Sequence, residues 1–131
     1  RVSAMLHSLG KDEARAAFGR VSEAIERMFT SLGMDHALGA KLPLLFRRHH
    51  LDQVTVEHEG HLSAGGDLIP QMMKLSAEQL QAKYVATGLV TESDMEQYGR
   101  LADDPDFWAI YYATVAVTGW WQPQCGGRTQ G

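Results

Sequence analysis

The sequence predicts an α/β fold built from several helices and two strands. Three observations carry that reading. Apolar residues recur at helical spacing over residues 11–32. Residues 53–59 alternate apolar and polar side chains, as a half-buried strand does. Residues 107–117 are dense in aromatic and β-branched side chains.

The first helix is predicted from the stripe Ala14, Ala17, Phe18, Val21, Ala24, Ile25, Met28, Phe29 and Leu32. Asp12 and Glu13 suit the positive end of its dipole. Gly33 can end it in a left-handed conformation. A second helix is predicted over residues 38–49, with Leu42, Leu45 and Phe46 on one face. Pro43 is tolerated in a first turn, where its missing N–H would be unpaired anyway, so the start belongs near Gly39 or Lys41.

Residues 53–59 then read as a strand with Val54 and Val56 inward, and Gly60, Gly65 and Gly66 mark the loop behind it. Residues 68–87 are helical again, with Pro70 near the start and Gly88 at the stop. Ser76-Ala77-Glu78-Gln79 has capping-box spacing, so a break at Ser76 is expected. Thr91-Glu92-Ser93-Asp94 opens a short capped helix through Leu101. Asp103, Asp104 and Asp106 around Pro105 form a turn. Residues 107–117 read as one long strand, apolar on both faces and therefore interior. The tail over residues 122–131 is rich in Gly, Gln and Thr and is expected to fray, leaving residues 1–121 as the structured segment.

Composition narrows the classes of function. The chain has 131 residues, 44% hydrophobic and 21% charged, which is an ordinary globular balance for one domain. A formal net charge of −4 gives no electrostatic footprint for nucleic acid. Arg47 and Arg48 beside His49 and His50 read as a solvated helix end. One cysteine, Cys125, closes no internal disulfide and fits a reducing, cytoplasmic compartment. No apolar run approaches the ~18 residues of a membrane span. The chain begins at Arg1 without an initiator methionine, as expected of a fragment or processed chain.

Chemistry-bearing patterns are sparse. His49, His50, His58 and His61 fall close together with Glu57 and Glu59. His58 and His61 are three apart, which on a strand points them to opposite faces. Polar strand-and-loop histidines are the simpler reading than a metal site. Cys125 sits in the tail, where no partner orients it as a nucleophile. Gly65-Gly66 and Gly126-Gly127 are not expected between a strand and a helix, so they are not read as nucleotide-binding turns. Trp108, Tyr111, Tyr112, Trp120 and Trp121 could stack a flat ligand, but most serve more simply as core or interface volume.

Two strands, one built for burial on both faces, do not make a stable sheet alone. Either another chain supplies neighbours, through dimerisation or strand exchange, or the rest of the sheet lies before Arg1.

The order of elements carries a resemblance. Gly33-Met34-Asp35 is followed by Gly39-Ala40-Lys41-Leu42-Pro43-Leu44-Leu45 and the strand through Val54 and Val56. A pair of helices follows, then Asp104-Pro105-Asp106-Phe107 before the last strand. Over residues 11–118 this resembles the C-terminal portion of class I S-adenosylmethionine-dependent methyltransferases of the small-molecule type. The resemblance implies a Rossmann-like fold whose last two strands are antiparallel, the final one inserted inside the sheet. The glycine usual before the first of those strands is replaced around His49-His50-Leu51.

The cofactor-binding half has no counterpart in this sequence. The resemblance therefore implies a methyltransferase segment, inactive alone, that needs its N-terminal half, or a homodimer, to bind S-adenosylmethionine. It also implies substrate contacts from Met5, His7, Trp108 and Tyr112, with His7 a candidate base. The implied partner is a small-molecule substrate, not nucleic acid or membrane. The alternative is a non-catalytic helical module that binds a partner or dimerises through a strand edge.

Overall fold

The computed structural model describes residues 12–123. Four helices and four strands occur among them: α1 Asp12–Ser31, α2 Leu38–Arg48, β1 Asp52–Gly60, β2 Ser63–Ala64, α3 Leu68–Ala86, α4 Glu92–Asp103, β3 Trp108–Ala109 and β4 Ala113–Trp120. They form two compact units. One holds the described residues up to His36 together with residues 60–113. The other holds residues 37–59 and 114–123.

In the first unit, α1 follows the predicted stripe closely. Ala14, Ala17, Phe18, Val21, Ala24 and Met28 are buried, while Leu32 is exposed beyond the helix end. Gly33 closes the helix with φ +93°. Its N–H donates to Thr30 O at 3.0 Å and that of Met34 donates to Phe29 O at 3.1 Å, the paired bonds of a Schellman cap. Phe18 stands at the centre of the core. Its ring stacks on Tyr98 at 5.5 Å, tilts against Phe107 at 5.2 Å and meets the edge of Tyr111 at 5.3 Å.

The other two helices complete this core. α3 is continuous, and the predicted break at Ser76 does not occur. Ala77, the next residue, and Tyr84, two turns further on, are both buried, so packing holds the helix straight through the local capping signal. Thr91 caps α4 as predicted: its hydroxyl accepts from the Asp94 N–H at 3.2 Å, and the Asp94 carboxylate accepts from the Thr91 N–H at 3.1 Å.

β2 and β3 pair antiparallel, Ser63 opposite Ala109 and Ala64 opposite Trp108. Gly65 then runs against the backbone of Asp104, where any Cβ would collide with it. The Gly65 N–H donates to Phe107 O at 3.0 Å and the Gly66 N–H to Ala102 O at 2.7 Å.

In the second unit α2 lies on the β4 side of the β1–β4 ribbon. Pro43 sits in the second turn of α2, not the first. The helix starts at Leu38, so the Gly39 carbonyl receives no N–H four residues on. The strands run antiparallel. Gly60 at the end of β1 lies beside Ala113 at the start of β4, and Leu51, just before β1, lies beside Gly119 near the end of β4. A Cβ at Gly39 would stand 3.1 Å from Val115 Cβ. One at Gly119 would stand 3.0 Å from the Phe46 ring and 3.1 Å from Leu51 Cβ. Helix and strand thus approach where glycine leaves room.

Two strand expectations need correction. Residues 107–117 are not one strand. Residues 110–112 separate β3, which pairs with β2, from β4, which pairs with β1. Nor is β4 covered on both faces: Ala113, Val115, Val117 and Gly119 are half-buried, and Thr114, Ala116, Thr118 and Trp120 are exposed. Among the described residues β4 has the one neighbour β1 and is not inside a larger sheet. On β1, Val54 is half-buried, but Val56 is 50% exposed instead of inward.

Candidate functional site

Of the four residues predicted to contact substrate, Met5 and His7 lie outside the described residues, and so does Cys125. The structure places Trp108 and Tyr112 on the outer side of one extended stretch. Phe107, Ala109 and Tyr111 turn inward, while Trp108 is 45% exposed and Tyr112 44% exposed. β3 fixes Trp108 by pairing it with Ala64. Tyr112 lies in the link between β3 and β4.

The inward residue between them has the more distinctive environment. Tyr111 meets Phe18 and Tyr98 edge-on, at 5.3 Å and 6.2 Å between ring centroids. Its hydroxyl is buried with no hydrogen-bond partner, and so is Nε of Arg15, one turn before Phe18 on α1. An unpaired buried polar atom loses its water without recovering a hydrogen bond. Burial pushes the Tyr111 phenol up to about 12, so it is uncharged at neutral pH. The aromatic run flagged these residues in sequence. Nothing in the sequence distinguished Tyr111 from its neighbours, because the inward turn depends on β3 ending at Ala109.

Two charged clusters tie the helices of the first unit together. Arg20 donates from Nε and a terminal nitrogen to the two oxygens of Asp94, at 3.2 and 2.7 Å, tying α1 to α4. That guanidinium, with the Thr91 N–H, holds the Asp94 carboxyl below the usual carboxylate range. Asp103, predicted as turn chemistry, also joins the end of α4 to α3. It accepts from Gln71 at 2.6 Å and from Lys74 at 2.6 Å, and these partners likewise lower its pKa. The rest of the acidic turn matches the expectation, with Asp104 accepting from the Asp106 N–H at 2.9 Å.

His49 and His50 end α2, His58 lies on β1, and His61 follows it, all exposed. Among the described residues no three His, Cys, Asp or Glu side chains come together as metal ligands.

Gly65-Gly66 does lie between a strand and a helix, β2 and α3, contrary to the sequence reading. It still offers no phosphate cradle. Both N–H groups are engaged by Phe107 and Ala102, and Asp67 brings a carboxylate to the start of α3. A cleft of about 510 Å³ opens beside Arg47, His50, Asp52 and Gln53 at the corner between α2 and β1. A groove of about 250 Å³ runs between α3 and α4. Neither includes Trp108 or Tyr112.

No known protein family matches this chain, and no match was found among curated proteins or solved structures. No helix among the described residues is long and apolar enough to cross a membrane.

Proposed function

We propose that this chain is the substrate-side, C-terminal segment of an S-adenosylmethionine-dependent methyltransferase acting on a small molecule. The observation that supports the reading is the arrangement of its last elements. Two antiparallel strands, β1 and β4, are separated in sequence by a helical excursion and carry α2 on the β4 side. A second feature agrees with it. Among the described residues β4 pairs with β1 alone, and it contains no charged residue or proline to guard its other edge, as a strand awaiting a further neighbour would not need one.

The described residues do not fit the cofactor itself. No glycine-rich turn among them presents free N–H groups to a nucleotide, and on this reading the cofactor is held by other polypeptide. What this chain contributes is orientation of the acceptor. Trp108 and Tyr112 offer flat apolar surface on which an acceptor can stack.

The test is calorimetric titration with S-adenosylmethionine. The product of the complete reading frame is expected to bind it at micromolar concentration, and the 131-residue chain alone is expected not to bind. A complete product that does not bind the cofactor overturns the reading.

A further inference from the structure

The corner where α2 gives way to β1 is strained. Among the described residues only two that are not glycine have left-handed backbone, His50 at φ +62° and Gln53 at φ +52°. Both line the cleft of about 510 Å³ that also takes in Arg47, Leu51, Asp52 and Val54. The end of α2 accounts for His50, whose N–H donates to Arg47 O while that of Leu51 donates to Phe46 O. No helix cap accounts for Gln53, the second residue of β1. Extended backbone would send Asp52, Gln53 and Val54 to alternate sides. The left-handed residue breaks that alternation, and all three line the cleft. Such backbone is disfavoured for a residue with a Cβ, and it gathers at binding sites.

Arg47 and Asp52 bring opposite charges to this cleft. They do not pair with each other, and neither side chain has a partner elsewhere among the described residues. A simple anion drawn to Arg47 would also meet the Asp52 carboxylate, and a simple cation would meet the reverse. A ligand that satisfies both must carry both charges. We propose that the cleft binds a free α-amino acid, its carboxylate on the Arg47 guanidinium and its ammonium on Asp52. The guanidinium fork matches a carboxylate with two parallel hydrogen bonds. The cleft opens at the C-terminal end of α2, the negative end of the helix dipole, which also favours an ammonium group beside Asp52. Gln53 adds an amide that both donates and accepts, suited to a polar ligand side chain. The volume is ample for a molecule of this size. The cleft includes none of Trp108, Tyr111 and Tyr112, and the inference does not depend on the methyltransferase reading.

Amide NMR of the ¹⁵N-labelled 131-residue chain tests it. Each common L-amino acid is added separately, up to about 20 mM. At least one is expected to shift the resonances of residues 47–54 saturably and to leave those of α1, α3 and α4 in place. The same molecule without its ammonium group, and the same molecule without its carboxylate, should each bind at least about tenfold more weakly, the scale of one hydrogen bond between charged groups. Arg47→Gln and Asp52→Asn should each weaken binding by a similar factor. Both side chains are exposed, and unshifted β4 resonances would show that the ribbon is intact in each variant.

A chain whose residues 47–54 respond to no amino acid overturns the inference. So does binding that survives loss of the ammonium group, which would make this an anion site, or loss of the carboxylate, which would make it a cation site. Binding indifferent to both substitutions would place the ligand elsewhere and overturn it equally.

Discussion

Arg20 grips both oxygens of Asp94, and the same carboxylate closes the capping box at Thr91. One side chain therefore fixes the start of α4 and ties α4 to α1. Thr91→Ala removes only the cap, and a loss of about 1 kcal/mol in chemical unfolding is expected. Asp94→Ala removes cap and tie together and should cost more than Thr91→Ala.

The pH dependence of that pair has a definite sign. Its partners lower the folded-state pKa of Asp94 below the unfolded value. The stabilisation is complete above the unfolded value, about 4, and is lost as pH falls through the lower folded value. Asp103 behaves the same way through Lys74 and Gln71. Melting temperatures between pH 7 and pH 2 should fall less steeply in Asp94→Asn than in the parent chain.

The alkaline side has the opposite sign. Burial raises the phenols of Tyr84, Tyr98 and Tyr111, the last to about 12. The folded state resists their ionisation, so stability is intact below about pH 10 and declines above it. Tyr111→Phe deletes a buried hydroxyl that has no partner. It should raise stability by about 0.5–1 kcal/mol and soften the alkaline decline, both measurable by thermal unfolding between pH 8 and pH 11.

Two helix ends make a matched pair. Gly33 and His50 occupy the same place in Schellman caps, with φ of +93° and +62°. Nothing lies within 4 Å of a Cβ placed on Gly33. Gly33→Ala should therefore cost about 1 kcal/mol for backbone strain alone. His50→Gly should gain about 0.5 kcal/mol, since strain is relieved while the unfolded chain becomes freer. Paired denaturant titrations would detect both changes.

Helices were more legible than strands. The α1 stripe, the Thr91 cap and the stops at Gly33 and Gly88 are local signals that the packing agrees with. Ser76 carried the same capping-box spacing as Thr91, yet the burial of Ala77 and Tyr84 kept α3 unbroken. The run over residues 107–117 misled for another reason. Thr114, Ala116 and Thr118 are small or β-branched, so they blur the alternation by which β4 separates its two faces. The join at residues 110–112 depends on β2, whose two residues no periodicity can announce. At the candidate site, a strand expected to be covered on both faces gave no sign that Trp108 and Tyr112 would be exposed. The unpaired hydroxyl of Tyr111 was not foreseeable at all, since a missing partner is a fact of three dimensions.

The clasp at Gly65 bears on how the chain tolerates change in length. Ser63 and Ala109 face each other, and the Gly65 N–H is bonded across the same gap to Phe107. Everything between, including α3 and α4, departs from and returns to a single anchored point. Residues added at a bend such as Gly88 would meet only the slowly growing entropy of a longer loop and would not pull β1 away from β4. Such a closed detour can grow or shrink between related proteins while the strands that frame it keep their places.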